Sequence, residues 1–185
     1  MKKSLTILTC IFISFFSFSQ ESGVKSLDKK IALYQAKFFI VENIIGDNFN
    51  YGKLIIDALA ASKSSELTSI FYESIDKKVK GLVLGFYDLN YNKYGVPEII
   101  YRFKNLENKK ALELLNKIDK IINREQGFLG ARGNKNNIHF NFDDFVVIIY
   151  RDQSGGRIRI HWKELDAEWD NTAFMRTKNR FEKSL

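Results

Sequence analysis

The side chains of this chain that could do chemistry are few, and most lie between His139 and Asp170. His139 and His161 would be the only imidazoles available for acid–base catalysis or metal binding. Two histidines without a clear third ligand make a weak zinc centre, because such a site is closed by three or four protein ligands. Arg151, Arg157 and Arg159 form a second set. Guanidinium groups beside an apolar floor suit a carboxylate, phosphate or sulfate group on a partner. Asp143-Asp144 and the series Glu164, Asp166, Glu168 and Asp170 form a third. Paired carboxylates could serve a glycoside hydrolase, which needs a defined carboxyl separation in space. Asp88, Asn90 and Asn92 place oxygen ligands at alternate positions, as a calcium loop does. However, Lys93 stands where that loop needs glycine, and Ile99 where it needs a bidentate glutamate. Ser62-Lys63-Ser64-Ser65 lacks the Ser-x-x-Lys spacing of an activated serine. The chain has no Gly-x-Ser-x-Gly elbow, no His-Glu-x-x-His pair and no phosphate-cradling glycine loop. No cofactor and no metal are expected.

The elements that must position these residues can be read from periodicity. Ile138, Phe140 and Phe142 alternate with His139 and Asn141, the period of a strand with one buried face. Phe145 to Tyr150 is a continuous apolar run, Asp152 to Gly156 is turn chemistry, and Ile158, Ile160 and Trp162 alternate with Arg157, Arg159 and His161. This predicts a three-strand meander followed by a helix starting near Asp170 or Asn171. A five-residue loop at Asp152 to Gly156 sets Arg151 opposite Arg157 and Val147 opposite His161. A three-residue loop at Asp143 to Phe145 sets His139 beside Ile149. Parity then gives a core face with Val146, Ile148 and Tyr150, and a candidate binding face of His139, Asn141, Arg151, Arg157, Arg159 and His161 around Val147 and Ile149. The competing reading of that face is structural, since facing arginines repel and call for acids such as Asp152 or Glu164 nearby. Trp162, Trp169, Phe174 and Phe181 are expected to be buried and to tie the last helix to the sheet, with Trp169 as a hydrophobic staple.

Upstream, Ile31, Tyr34, Phe38, Val41 and Ile45 recur at helical spacing with Asp28 as cap, although Lys37 to Ile45 would also suit a strand. Leu54 to Ala61 is ambiguous between the same two states. Leu67 to Ile75, Leu82 to Leu89 and Val96 to Phe103 read as strands, with Asp88 to Gly95 as a polar connection. Gly85 suggests a bulge or close backbone contact, and Pro97 an edge or a strand start. Ala111, Leu114, Leu115, Ile118, Ile121 and Ile122 stripe a helix capped at Asn105 or Asn108, for which Gly127 is a plausible stop. No internal repeat is visible. The expected fold is α+β: a single domain with one antiparallel sheet of about six to seven strands, a helix between its halves and a C-terminal helix packed on it. That order resembles profilin- or longin-type and pleckstrin-homology-like folds, and a likeness of order licenses no function.

Residues 1–19 are expected to be a cleaved signal peptide, leaving 20–185 as the domain. Lys2 and Lys3 form a positive n-region, Leu5 to Phe18 an apolar core, and Ser17-Phe18-Ser19 a cleavage site before Gln20. The ending Phe-Ser-Phe-Ser-Gln resembles the export signals of small Bacteroidota proteins, many of unknown function, and this resemblance covers the signal alone. Cleavage would remove the chain's single cysteine, Cys10, and with it any disulfide or thiolate chemistry. It would also remove two lysines from a chain of net charge +7. A modest basic excess favours acidic partners without specifying any chemistry. The chain is therefore expected to be periplasmic or secreted and monomeric, with no membrane span after signal removal and no nucleic-acid partner. The function expected is that of a non-catalytic binding domain for an anionic envelope component or a protein. The alternatives are a hydrolase using acidic residues with His139 or His161, and a structural envelope protein.

Overall fold

The computed structural model of the chain describes residues 31–46, 51–59, 67–131 and 135–185. The signal segment, Asp28 and Ser62 to Ser65 lie outside the described residues. The chain divides into two compact units, Met1–Gln35 and Ala36–Leu185, and the described part of the first is helical.

Residues 31–39 form α1, which loosens into a π-helical turn at Ile40–Ile45. That turn ends at Gly46 (φ 74°), whose N–H donates back to the carbonyl of Val41, 2.9 Å away. Four strands follow: β1 (Leu54–Ala58), β2 (Thr68–Ser74), β3 (Val79–Tyr91) and β4 (Pro97–Glu107). The helices α2 (Asn108–Arg124) and α3 (Gln126–Gly130) come next. A second run of strands is β5 (Asn137–Phe142), β6 (Phe145–Asp152), β7 (Gly155–Trp162) and β8 (Leu165–Asp170), closed by α4 (Asn171–Lys183). The fold is α+β, as expected. The strands, however, make two four-stranded antiparallel sheets, β1-β2-β3-β4 and β5-β6-β7-β8, and not one sheet of six or seven. The order of a helical segment, a four-strand meander and a helix thus occurs twice, although no repeat is visible in the residues.

The centre of the first sheet is apolar on both faces, which is why Ser69 to Tyr72 and Gly81 to Phe86 are buried without interruption. One face carries Leu82, Leu84 and Phe86. The other carries Ile70, Tyr72 and Val83, and the ring of Phe39 reaches that side to lie 5.5 Å from Phe103. Two glycines of β3 make room for aromatic rings. A Cβ on Gly81 would stand 2.8 Å from the Tyr72 hydroxyl, and one on Gly85 would stand 2.9 Å from the ring of Phe103. Gly85 is therefore a close contact and not a bulge. Pro97 is the first residue of β4, where its missing N–H costs nothing to the ladder.

One core joins the sheets and helices. Leu82, Leu84 and Phe86 meet Phe145, Val147, Ile149, Ile160 and Trp162, and Ala111, Leu114, Leu115 and Ile118 of α2 join the same cluster. Phe86 lies 5.3 Å from Trp162 between ring centroids, and Phe71 lies 6.0 Å from Phe181 of α4. Within this core the Trp169 indole N–H donates to Ser69 Oγ at 2.9 Å, linking the two sheets through a buried hydrogen bond. Trp162, Trp169, Phe174 and Phe181 are all buried, as the sequence predicts. Trp169 belongs to a strand and, as the residue before the Asp170 cap, also packs on Phe174 of α4 with ring centroids 5.7 Å apart, the staple expected. α4 begins where expected, with Asp170 Oδ1 accepting the N–H of Ala173 at 2.8 Å. α2 starts at Asn108 without a side-chain cap, and Gly127 lies inside α3 and does not stop α2.

Candidate functional site

The second sheet is built on turns tighter than the sequence suggests. β5 and β6 turn over Asp143-Asp144 alone, so Phe142 pairs with Phe145, and Asp143 takes left-handed backbone at φ 54°. β6 and β7 turn over Gln153-Ser154, so Asp152 pairs with Gly155 and Arg151 with Gly156. Each two-residue turn shifts the expected register, and a shift of one residue reverses which side chains share a face. Val147 therefore faces Ile160 rather than His161, and His139 faces Ile148 rather than Ile149. Val147 and Ile149 belong to the core. The outward face carries Val146, Ile148 and Tyr150 as its apolar floor.

Five of the six candidate residues share that outward face: His139, Asn141, Arg157, Arg159 and His161. Arg151 is the exception and projects with Val147 and Ile149 from the opposite side of β6. The arginines of the outward face are matched by carboxylates on the neighbouring strands. Arg157 Nε donates to Asp152 Oδ2 at 2.8 Å, and its Nη1 lies 3.6 Å from Glu168. Arg159 Nε lies 3.4 Å from Asp166 and 3.5 Å from Glu168, without an aligned hydrogen bond among the described residues. Tyr150 completes the group by donating its hydroxyl to Glu168. Burial, reinforced by that hydrogen bond and the Glu168 charge, pushes the Tyr150 phenol up to about 12. Burial works to raise the Asp152 carboxyl too, but bonds from Arg157 and the Ser154 N–H outweigh it and leave the carboxyl below the usual range. The face is thus largely self-neutralised, which is the structural role that facing arginines call for.

The two histidines stand apart on β5 and β7. His161 pairs with Asp166 on β8, whereas His139 is exposed at the edge of the sheet. No cluster of three or more metal-ligating side chains occurs among the described residues. Asp143 and Asp144 sit together at the β5–β6 turn and are held by cations of β4 and α2. Lys104 Nζ lies 2.8 Å from Asp144, and Lys110 Nζ lies 3.1 Å from Asp143. Burial tends to raise the Asp144 carboxyl, but the hydrogen bonds from Lys104 and from the Trp162 indole N–H prevail and lower it. A lowered carboxyl is ionised at neutral pH and is unsuited to act as a general acid.

Arg151 lies at the other end of β6, on the core side of the sheet, while Arg157 stays on the outward face. A cleft of about 570 Å³ opens there between the end of α2, α3, the β6–β7 hairpin and the start of α4. Ile122, Leu129 and Ile149 line it as apolar surface, and Gln126, Arg151, Arg157 and Asn171 supply its polar groups. Arg151 reaches across to α3, where its Nη1 lies 3.8 Å from the position a Cβ on Gly130 would take. Among the described residues, no histidine and no carboxylate lines the cleft.

No protein-family model matches this chain, and neither a curated protein nor a solved structure is similar to it. Its site must therefore be read from its own geometry. No helix among the described residues is long and apolar enough to cross a membrane.

A second surface went unread in the sequence. β2 ends opposite Gly85, whereas β3 and β4 continue as a pair, so Phe86 to Tyr91 is bonded only to Pro97 to Arg102 among the described strands. Tyr87, Tyr91, Tyr94, Val96 and Ile99 are exposed on this ribbon and its tip. The signal was the alternation of Tyr87, Tyr91, Ile99 and Tyr101 on one side, hidden by the asparagines that suggested a loop.

Proposed function

We propose that this protein is a non-catalytic binding domain that takes a carboxylate- or phosphate-bearing group of an envelope component in the cleft beside Arg151. The observation that carries this reading is the position of Arg151 beside Ile122, Leu129 and Ile149 in one concavity of about 570 Å³, which Gln126 and Asn171 also line. Guanidinium forks match planar anions, and an apolar floor strengthens such a contact by excluding water. Arg151 provides the discriminating contact because it lies on the same side of β6 as the apolar floor, whereas Arg157 bonds Asp152 on the other face. A net charge of +7 favours the approach of anionic material in general.

The reading is tested by titrating the protein with a uronate oligosaccharide and with its neutral counterpart, followed by amide chemical shifts. The acidic oligosaccharide should perturb Gln126, Gly127, Gly156 and Asn171, and Arg151→Glu should abolish the effect. Equal response to the neutral sugar, or binding unchanged by Arg151→Glu, overturns the assignment.

A further inference from the structure

The lining of the Arg151 cleft distinguishes one kind of anion from another. Three aliphatic side chains from different elements meet in it: Ile122 near the end of α2, Leu129 of α3 and Ile149 of β6. Leu129 and Ile149 are buried and form its floor, whereas Gln126, Arg151 and Asn171 are exposed and stand at its rim. Arg151 follows Ile149 by two residues, so both project from the same side of β6. A guanidinium carries five N–H donors, so Arg151 can hold a group of the protein and still offer a fork to a ligand. Each carboxamide brings donors and an acceptor together.

We infer, resting on the reading of this cleft as an anion site, that its occupant is the C-terminal end of a peptide whose last residue is aliphatic. A terminal carboxylate is planar and singly charged, which suits one guanidinium fork beside an apolar floor. The last side chain lies on Ile122, Leu129 and Ile149, and the last peptide group, with its N–H and C=O, is matched by the carboxamides of Gln126 and Asn171. Capture of a chain end by its carboxylate is a recurring mode of peptide recognition. A phosphate group carries more charge and calls for several cations or a nest of backbone N–H groups. Here Arg157, the other described cation of the lining, bonds Asp152 on the far face of the sheet. A sugar acid shares the carboxylate but brings many hydroxyl donors, which need acceptors. Among the described residues no carboxylate lines the cleft, and Tyr150 gives its hydroxyl to Glu168 on the outward face. A sugar acid is therefore the weaker ligand.

Calorimetric titration of the protein with acetyl-Gly-Gly-Leu, with its C-terminal amide, with acetyl-Gly-Gly-Gly and with a uronate oligosaccharide provides the test. The leucine acid should bind most tightly. Amidation removes the charge and glycine removes the apolar contact, and each change should weaken binding about tenfold or more. Arg151→Gln should abolish the preference for acid over amide. Asn171→Asp is the second variant, because aspartate is favourable in the first turn of α4 and keeps the fold, while its charge should weaken the acid more than the amide. Equal binding of acid and amide, or of the leucine and glycine peptides, overturns the inference. A uronate bound more tightly than the leucine acid, and through Arg151, also overturns it but leaves the cleft an anion site. Binding of neither overturns both.

Discussion

The hydrogen bond from Trp169 to Ser69 allows a sharp test of how the two sheets are held. Both residues are fully buried, and the Nε1 to Oγ distance is 2.9 Å. Ser69→Ala removes only an oxygen, so the cavity it leaves is small. The cost comes from the indole N–H, which is left without an acceptor in a place closed to water, about 1–3 kcal/mol. For a chain of this size that corresponds to a fall in Tm of roughly 4–8 °C for a mid-range loss of 2 kcal/mol. Trp169→Phe removes the donor and part of the ring and should cost more, because it opens a void. In the double variant no indole remains to be orphaned, so the Ser69→Ala step should then cost about 1–2 kcal/mol less than it does alone. Urea unfolding followed by far-ultraviolet circular dichroism gives all four corners of the cycle without relying on tryptophan fluorescence. If Ser69→Ala shifts stability by less than about 0.5 kcal/mol and the coupling vanishes, the bond is incidental and packing alone joins the sheets.

Two further outcomes are expected. Because the folded Tyr150 phenol is raised to about 12 from a value near 10 in the unfolded chain, its contribution to stability is complete below about pH 10 and is lost as pH rises toward 12. Glu168→Gln should bring the Tyr150 titration, followed by absorbance of the phenolate, to lower pH, and an unchanged titration would show that Glu168 does not set it. Thr177 on α4 is fully buried, and its hydroxyl has no hydrogen-bond partner among the described residues. Thr177→Val keeps the shape and removes the unmet polar group, so it should raise stability by about 1 kcal/mol, and a loss on thermal unfolding would show that the hydroxyl is satisfied after all.

The parts of the fold that the sequence made plain are those in which one physical rule acts alone. The stripe of Ala111, Leu114, Leu115 and Ile118 has helical spacing and is buried as a stripe. Asp170 caps α4 because a carboxylate ahead of an apolar periodic run has little else to bond. β8 was missed although Leu165, Ala167 and Trp169 alternate with Asp166, Glu168 and Asp170, since acids before a helix already have a reason in the helix dipole. The register failed at the β5–β6 and β6–β7 turns, which close over Asp143-Asp144 and Gln153-Ser154, with Asp143 in left-handed backbone at φ 54° without being glycine. Nothing in the residues announces so tight a turn, and each one-residue error moved side chains across the sheet. Arg151 was assigned to the wrong face for that reason alone. The partition into two sheets was out of reach as well, because only the packing of β3 against β8 and of Phe86 against Trp162 decides it.

Each sheet is a meander of sequence neighbours, and this has a consequence for the order of events as the chain is made. Hairpins form in about 1–10 μs, whereas synthesis adds about 5–20 residues per second. The first meander can therefore be complete as soon as Glu107 is available, while the strand that carries Trp169 is still about sixty residues and several seconds away. Throughout that interval the face of Leu82, Leu84 and Phe86 has nothing from the second sheet to cover it. The half-made protein thus displays a preformed apolar sheet for a time very long on the scale of molecular collision. It is in this waiting state, more than in the finished fold, that the chain is exposed to aggregation and would gain most from a chaperone.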